Sequence, residues 1–393
     1  EKERERESAV SLRKGRTKRA IIMNTVLERY SHAMAEGVKD NCQKLQKLSD
    51  QKLWHQLSLL LEECVSDDRF QKIPGLLIDV FEQFVSPVAL KLNALKVVKV
   101  AVKVSQQHTQ PKQAVEFIEA TRKLLKESED DAEEVLYLNS ALGQLALQSG
   151  DEEKAKALME AGLKQLDDMT EVDPAVCASV YSLSSQYHKV HRNFDEFYKS
   201  SLLYLAYVST DKLPADFRLA LAVDISLAAL LGEGIFNFGE LLLHPIVNAL
   251  VGTEFEWLHA LLKCFNKGDM HAYDMLCERY ADALNRQPEL VKKSGLLRKK
   301  VNLLMVQEYL QGNRVVSLDD LASRGKLGSR EAAEDLVMKA MAQGMIKGSI
   351  DQVAGTVQVT WVQPRVLTHD QVRDLQTRLN NWASKVNNFA TAI

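Results

Sequence analysis

Apolar residues recur at helical spacing through the first half of the chain. From about Leu27 to about Leu231 they return every three or four positions, with polar residues between, which predicts one amphipathic helix after another. In LYLNSALGQLALQSGDEEKAKALMEAGLKQL, Leu136, Leu138, Leu142, Leu145 and Leu147 belong to one predicted helix. Ala155, Leu158, Leu163 and Leu166 belong to the next, with Gly150 and Asp151 at the joint. Prolines 74, 87, 111, 174 and 214 stand where helices start or break, and Pro111 suits the first turn of KQAVEFIEATRKLL.

The period changes near the end. Val357, Val359 and Trp361 alternate with Gln358 and Thr360, as in a half-buried strand. Ile346 and Ile350 mark an earlier strand, and DQVAG turns between the two. Upstream, a short helix after Ser317, a turn through Gly325 and Gly328, and a longer helix that Ser329 caps complete a helix–turn–helix. Together with the hairpin this predicts a winged helix over 316–365. After the Thr368-His369-Asp370-Gln371 capping box, Val372, Leu375, Leu379, Trp382, Val386 and Phe389 step by alternating threes and fours. That is the narrow seam of a helix bundle. Fully buried, six such side chains gain about 9–18 kcal/mol in gross terms, which predicts partner helices rather than solvent.

Charge narrows what the wing touches. The module from Ser317 to Gln363 carries Arg324, Lys326, Arg330, Lys339 and Lys347 against Asp319, Asp320, Glu331, Glu334, Asp335 and Asp351. Its second helix is acidic at the end that would enter a DNA groove, where affinity depends on basic donors to phosphate. The uncharged TVQVTWVQ strand suits pairing with another protein, and Thr356, Gln358 and Thr360 are the expected edge of contact.

The chain has 393 residues, 46% of them hydrophobic and 26% charged, with a net charge of −3. That is an ordinary globular composition with no bias toward nucleic acid or an anionic membrane. Five dispersed cysteines without a CxxC pair predict buried thiols in a reducing compartment. No apolar run reaches the ~18 residues of a membrane span, and no signal-peptide core is visible at the start, so cytoplasm and nucleus are the expected locations. Residues 1–20 are charge-dense, with a basic cluster at Arg13, Lys14, Arg16, Lys18 and Arg19, and read as a solvated tail.

Candidate chemistry is sparse. His188 and His191 form an H-x-x-H pair, but no carboxylate or cysteine completes a metal site nearby in the sequence. Gly232, Gly234 and Gly239 follow a predicted helix, not the strand that a phosphate-binding loop needs. No catalytic, metal or cofactor-binding residue is assigned, and the chain reads as a non-enzyme.

A helical hairpin of tetratricopeptide form, repeated without a fixed period and running into a winged helix, resembles the PCI-domain family. That family supplies subunits of the proteasome lid, the COP9 signalosome and eukaryotic initiation factor three. Five segments carry the likeness to the proteasome-lid branch: KLWHQLSLLLEECVSD (52–67), FIEATRKLL (117–125), LLGEGIFNFGELLLHP (230–245), GLLRKKVNLL (295–304) and KGSIDQVAGTVQVTWVQPRVL (347–367). The resemblance implies a mostly α chain: a right-handed helical-repeat solenoid, then a winged-helix PCI domain and a C-terminal bundle helix. On that reading residues 1–26 are a charged tail, 27–195 the arm, 196–365 the PCI domain and 366–393 the bundle helix. It also implies a non-catalytic scaffold in a hetero-oligomer that supports degradation of ubiquitinated proteins. The implied neighbours are regulatory subunit 12, the deubiquitinase pair, the helices of the bundle and the ubiquitin-receptor subunit, with no nucleic acid or membrane. A signalosome or initiation-factor scaffold, or a DNA-binding winged helix, is the alternative.

Overall fold

A computed structural model describes residues 29–30, 36–108, 110–125, 132–366 and 369–392, with backbone only at 36, 68, 212, 369–371 and 390–392. The tail at 1–20 and the Thr368 end of the capping box lie outside the described residues. The chain divides into two compact units. One comprises the residues up to His191 together with Ser200–Val208; the other comprises Arg192–Lys199 and everything from Ser209 on.

The first unit is helical throughout its described residues. Its helices include Glu36–Asp50, Trp54–Ser66, Ala94–Ser105, Pro111–Leu125, Ala132–Ser149, Glu152–Asp168 and Pro174–Val190. The predicted hairpin forms where expected. Gly150, at φ 83°, turns the chain, and Asp151 caps the second helix by accepting the Lys154 N–H at 3.2 Å. Pro111 and Pro174 each open a helix, where a missing N–H costs nothing. Asp173 accepts the Ala175 N–H at 2.8 Å and also receives the Lys99 ammonium at 3.2 Å. Small residues let neighbouring helices approach: Ser184 and Ser185 share hydrogen bonds of 2.9 Å with Ser200 and Ser201. The core is continuous from Val38 through Leu57, Phe70, Val98 and Ile118 to Leu138.

In the second unit the Ala215–Leu231 helix ends at Gly232, as the sequence predicts, and leads to the short helix Phe238–Leu243. Helices Glu256–Lys267, Met270–Arg279 and Ser294–Gly312 follow. The last of these runs into strand β1 (Val315–Ser317), helices Leu318–Arg324 and Arg330–Ala342, and strands β2 (Ile346–Asp351) and β3 (Thr356–Val362). Ser317 accepts the Asp319 N–H and Ser329 the Ala332 N–H, each at 3.2 Å, so both predicted caps form. Leu318, Leu321, Ala333, Val337, Ala340, Ile346 and Val357 fill the winged-helix core.

The sheet departs from expectation in two ways. It has three strands, because β1 joins the hairpin; the order is β1-β3-β2, antiparallel throughout. In consequence β3 is the central strand. Gln358 opposes Val315 on one side and Ser349 on the other, and Thr356 opposes Ser317 and Asp351. The expected strand-to-strand edge at Thr356, Gln358 and Thr360 is therefore corrected: over Thr356 to Gln358 both backbone edges are already paired. Thr360 in addition donates its hydroxyl to the Lys347 carbonyl at 2.9 Å. The outer edges of the sheet belong to β1 and β2.

Candidate interaction surfaces

The C-terminal helix, His369–Ala392, presents the predicted seam to solvent along its whole described length. Val372, Leu375, Leu379, Trp382, Val386 and Phe389 are 46–74% exposed, and every residue from Val372 to Phe389 is exposed. The helix is about 36 Å long at 1.5 Å per residue. A lone helix in water has little intrinsic stability, and a continuous apolar stripe on it is an association surface. Packing of this stripe on the chain's own described residues is excluded by those exposures.

The wing offers a smaller surface. Thr356 is half-buried, while Gln358 and Thr360 are exposed and remain on an open face of the sheet. Val357 is fully buried, as the alternation requires, but Trp361 is 42% exposed, with the Lys347 ammonium 5.2 Å from its ring. At the tip, Val353 is 99% exposed. Gln352 ties the turn to the Arg330–Ala342 helix by donating to Glu334 at 3.2 Å.

All five basic residues of the module are engaged inside the chain. Lys326 pairs with Asp274 at 2.6 Å and Lys339 with Asp335 at 3.9 Å. Arg324 lies 4.1 Å from the Tyr309 ring centre, Lys347 sits over Trp361, and the Arg330 guanidinium occupies the space where a side chain on Gly355 would stand. With the acidic residues beside them, these groups make no basic stripe for a phosphate backbone to follow.

Among the described residues no metal site forms around His188 and His191. The Tyr187 ring lies tilted with its centre 4.3 Å from that of His191, which approaches Glu152 at 3.8 Å. Among the described residues no group of three or more His, Cys, Asp and Glu side chains is placed to hold a metal.

The glycine segment after Leu231 contains the feature that sequence reasoning missed. Lys300 is 3% exposed and donates to the carbonyls of Ala229 at 2.7 Å and Gly232 at 2.6 Å, the open end of the Ala215–Leu231 helix. The rings of Phe236 and Phe238 lie 5.6 and 5.1 Å from its ammonium. Asp195 braces the same loop, accepting the Gly234 N–H at 3.0 Å. One signal was available: Leu297, Lys300, Val301 and Leu304 share a helical stripe, so a lysine stands on the buried face of GLLRKKVNLL.

Burial pushes the Lys300 pKa down to about 7, with Asp195 opposing and Lys293 adding to the shift. The unfolded chain thus holds a proton that the folded chain releases between about pH 7 and the ordinary lysine value of 10.5. Stability rises with pH across that window and is lowest in this respect below pH 7, by up to about 1.4 kcal/mol per pH unit. Thermal melts from pH 7 to pH 10 are therefore expected to favour the parent progressively over Lys300→Met. Parallel curves would show that another group titrates.

Comparison with known proteins gives a consistent picture. The family described as PSD13 N-terminal repeats matches residues 41–262, and the PCI domain family matches 277–361. The 26S proteasome non-ATPase regulatory subunit 13 homolog B of Arabidopsis thaliana is 41% identical over 348 residues, 87% of this chain and 90% of that protein. The 26S proteasome regulatory subunit RPN9 of Saccharomyces cerevisiae is 32% identical over 359 residues, 88% and 89% of the two chains. COP9 signalosome complex subunit 7 of Dictyostelium discoideum is 26% identical over only 162 residues, 41% of this chain and 59% of that one.

Proposed function

The chain belongs to the family of 26S proteasome non-ATPase regulatory subunit 13, and from that premise we propose a non-catalytic scaffold of the regulatory-particle lid, serving ATP-dependent degradation of ubiquitinated proteins. The observation that carries the reading is the exposed seam from Val372 to Phe389, an apolar face that only other helices cover well. We assign those six residues to a helical bundle shared with other lid subunits. The winged helix supplies the second contact, through the open face at Thr356, Gln358 and Thr360 and through the outer edges of β1 and β2. Regulatory subunit 12, the deubiquitinase pair and the ubiquitin-receptor subunit are the neighbours we propose. The assembly is a hetero-oligomer without nucleic acid, active in cytoplasm and nucleus. No helix among the described residues is long and apolar enough to cross a membrane.

Catalysis is assigned to other chains of the particle. The buried thiols of Cys42, Cys64 and Cys264 have pKa values pushed up to about 11, 12 and 12 by desolvation, the reverse of a reactive cysteine. The signalosome and initiation-factor alternatives are not favoured, because the likeness to a signalosome subunit covers 41% of the chain against 87% for the proteasome relative. A native pulldown of the tagged chain with mass spectrometry tests the reading. Lid and ATPase-ring subunits in equal amounts are the expected companions, and recovery of signalosome or initiation-factor subunits instead would overturn it.

A further inference from the structure

The apolar seam of the C-terminal helix is bordered by two unlike flanks. From Leu375 to Ala392 the helix carries two basic residues, Arg378 and Lys385, and no acidic one. They stand seven positions apart, so they share one face of the helix, about 10.5 Å from each other along its axis. Arg378 lies one turn from both Leu375 and Trp382, and Lys385 one turn from both Trp382 and Phe389. Both cations therefore line the same side of the stripe. The other side, which adjoins Val372, Leu379 and Val386, carries the neutral Gln376 and Ala383. The face away from the seam, with Thr377 and Ser384 at its middle, is uncharged over the same stretch.

Arg378 and Lys385 are both exposed, and among the described residues neither is ion-paired. Lys385 has no carboxylate within four positions on either side. Asp374 stands one turn before Arg378, but the two form no ion pair. Long cations at the border of an apolar seam lay their stems along it and hold their charged ends at its rim, where charge selects the partner. A second copy of the chain does not supply that partner. In a parallel pair the cations of each copy face the neutral flank of the other, and in an antiparallel pair cation faces cation. The seam is apolar enough to pair with itself, but its borders are not complementary to themselves.

We propose that the seam takes a helix of another chain that carries carboxylates along one border of its own apolar stripe, about two turns apart, where they meet Arg378 and Lys385. The inference rests on the scaffold reading and adds to it the chemistry of the partner. The two unlike borders also decide on which side the partner's acidic residues lie. On the wrong side those carboxylates would stand against Gln376 and Ala383, and both cations would stay unmatched. On the right side the short Ala383 lets the partner's uncharged border come close.

Competition between tagged variants and untagged parent for the purified particle tests it, at about 50 mM and about 500 mM salt. Arg378→Gln with Lys385→Gln neutralises the border, and Arg378→Glu with Lys385→Glu reverses it. Thr377→Glu with Ser384→Glu changes the charge of the helix as much as the neutralised pair does, but on the face away from the seam. All six substitutions lie at exposed positions, and thermal melts verify that the variants fold. At low salt the neutralised border is expected to enter about three- to fivefold less well and the reversed border at least about tenfold less well. The outer-face pair should compete like the parent, and the losses should shrink at high salt. Parent-like entry of the reversed border, with the seam variant Leu379→Asp/Trp382→Asp excluded, would overturn the acidic partner and leave the bundle standing. Better entry after reversal, or an equal loss from the outer-face pair, would overturn it too. Normal entry of the seam variant as well would overturn both the proposal and the scaffold reading beneath it.

Discussion

Leu379→Asp combined with Trp382→Asp is expected to leave the free chain folded and to remove it from the assembled particle. The two side chains are 56% and 67% exposed, so in isolation the change lies at the surface and moves stability by about 0.5 kcal/mol or less. In a bundle the same positions are the centre of the seam. Each substitution there forfeits about 1.5–3 kcal/mol of burial and carries a carboxylate into an apolar contact at a cost of several kcal/mol more. Incorporation should fall at least about 100-fold, since each 1.4 kcal/mol is tenfold. The measurement is a competition between tagged variant and untagged parent for purified particle, beside a thermal melt of the free chain. Asn380→Asp with Asn381→Asp supplies the control, because it adds the same charge on the polar face of the same helix. Normal incorporation of the seam variant would end the bundle assignment.

The elements that sequence reasoning placed well are those whose signal is local. Heptad spacing identified the C-terminal helix, a glycine–aspartate joint identified the hairpin at Gly150, and serines at 317 and 329 marked two helix starts. The errors concern what distant residues do to one another. Strand β1 is three residues long, too short for alternation to show, and its pairing with β3 joins positions about forty apart in the chain. Without β1, β3 looks like an edge; with it, β3 is central, and the contact assigned to its edge had to move. Trp361 alternates like a core residue but stays exposed, with Lys347 beside it. Lys300 left one trace, its place on an apolar helical stripe, but its partners, like those of Arg365, were not legible for the same reason. Both depend on carbonyls or amides supplied from elsewhere in the fold, and neither lysine nor arginine announces in sequence which of its hydrogens will be buried.

Gly268→Ala is expected to destabilise the second unit by about 3–5 kcal/mol. Gly268 closes the Glu256–Lys267 helix at φ 63°, where its N–H donates to the Phe265 carbonyl at 3.1 Å. Asp269, the next residue, caps the following helix by accepting from His271 and Ala272. One helix therefore stops and another starts without a spare residue to absorb a shift. An added Cβ would lie 2.6 Å from the Met305 nitrogen and 2.8 Å from the Leu304 carbonyl carbon, backbone atoms inside the packed Ser294–Gly312 helix. A side chain could rotate away; this helix must move as a whole, with Leu304 and Val306 fully buried beside the contact. Gly252 separates the two costs. It has φ 75° but open space around its would-be Cβ, so Gly252→Ala meets only the left-handed backbone term of about 1–2 kcal/mol. At about 2–4 °C per kcal/mol, the melting midpoint should fall by roughly 10 °C for Gly268→Ala and about 3–5 °C for Gly252→Ala. Equal shifts would mean that backbone conformation alone governs both sites and that the Ser294–Gly312 helix yields to the extra methyl group without loss.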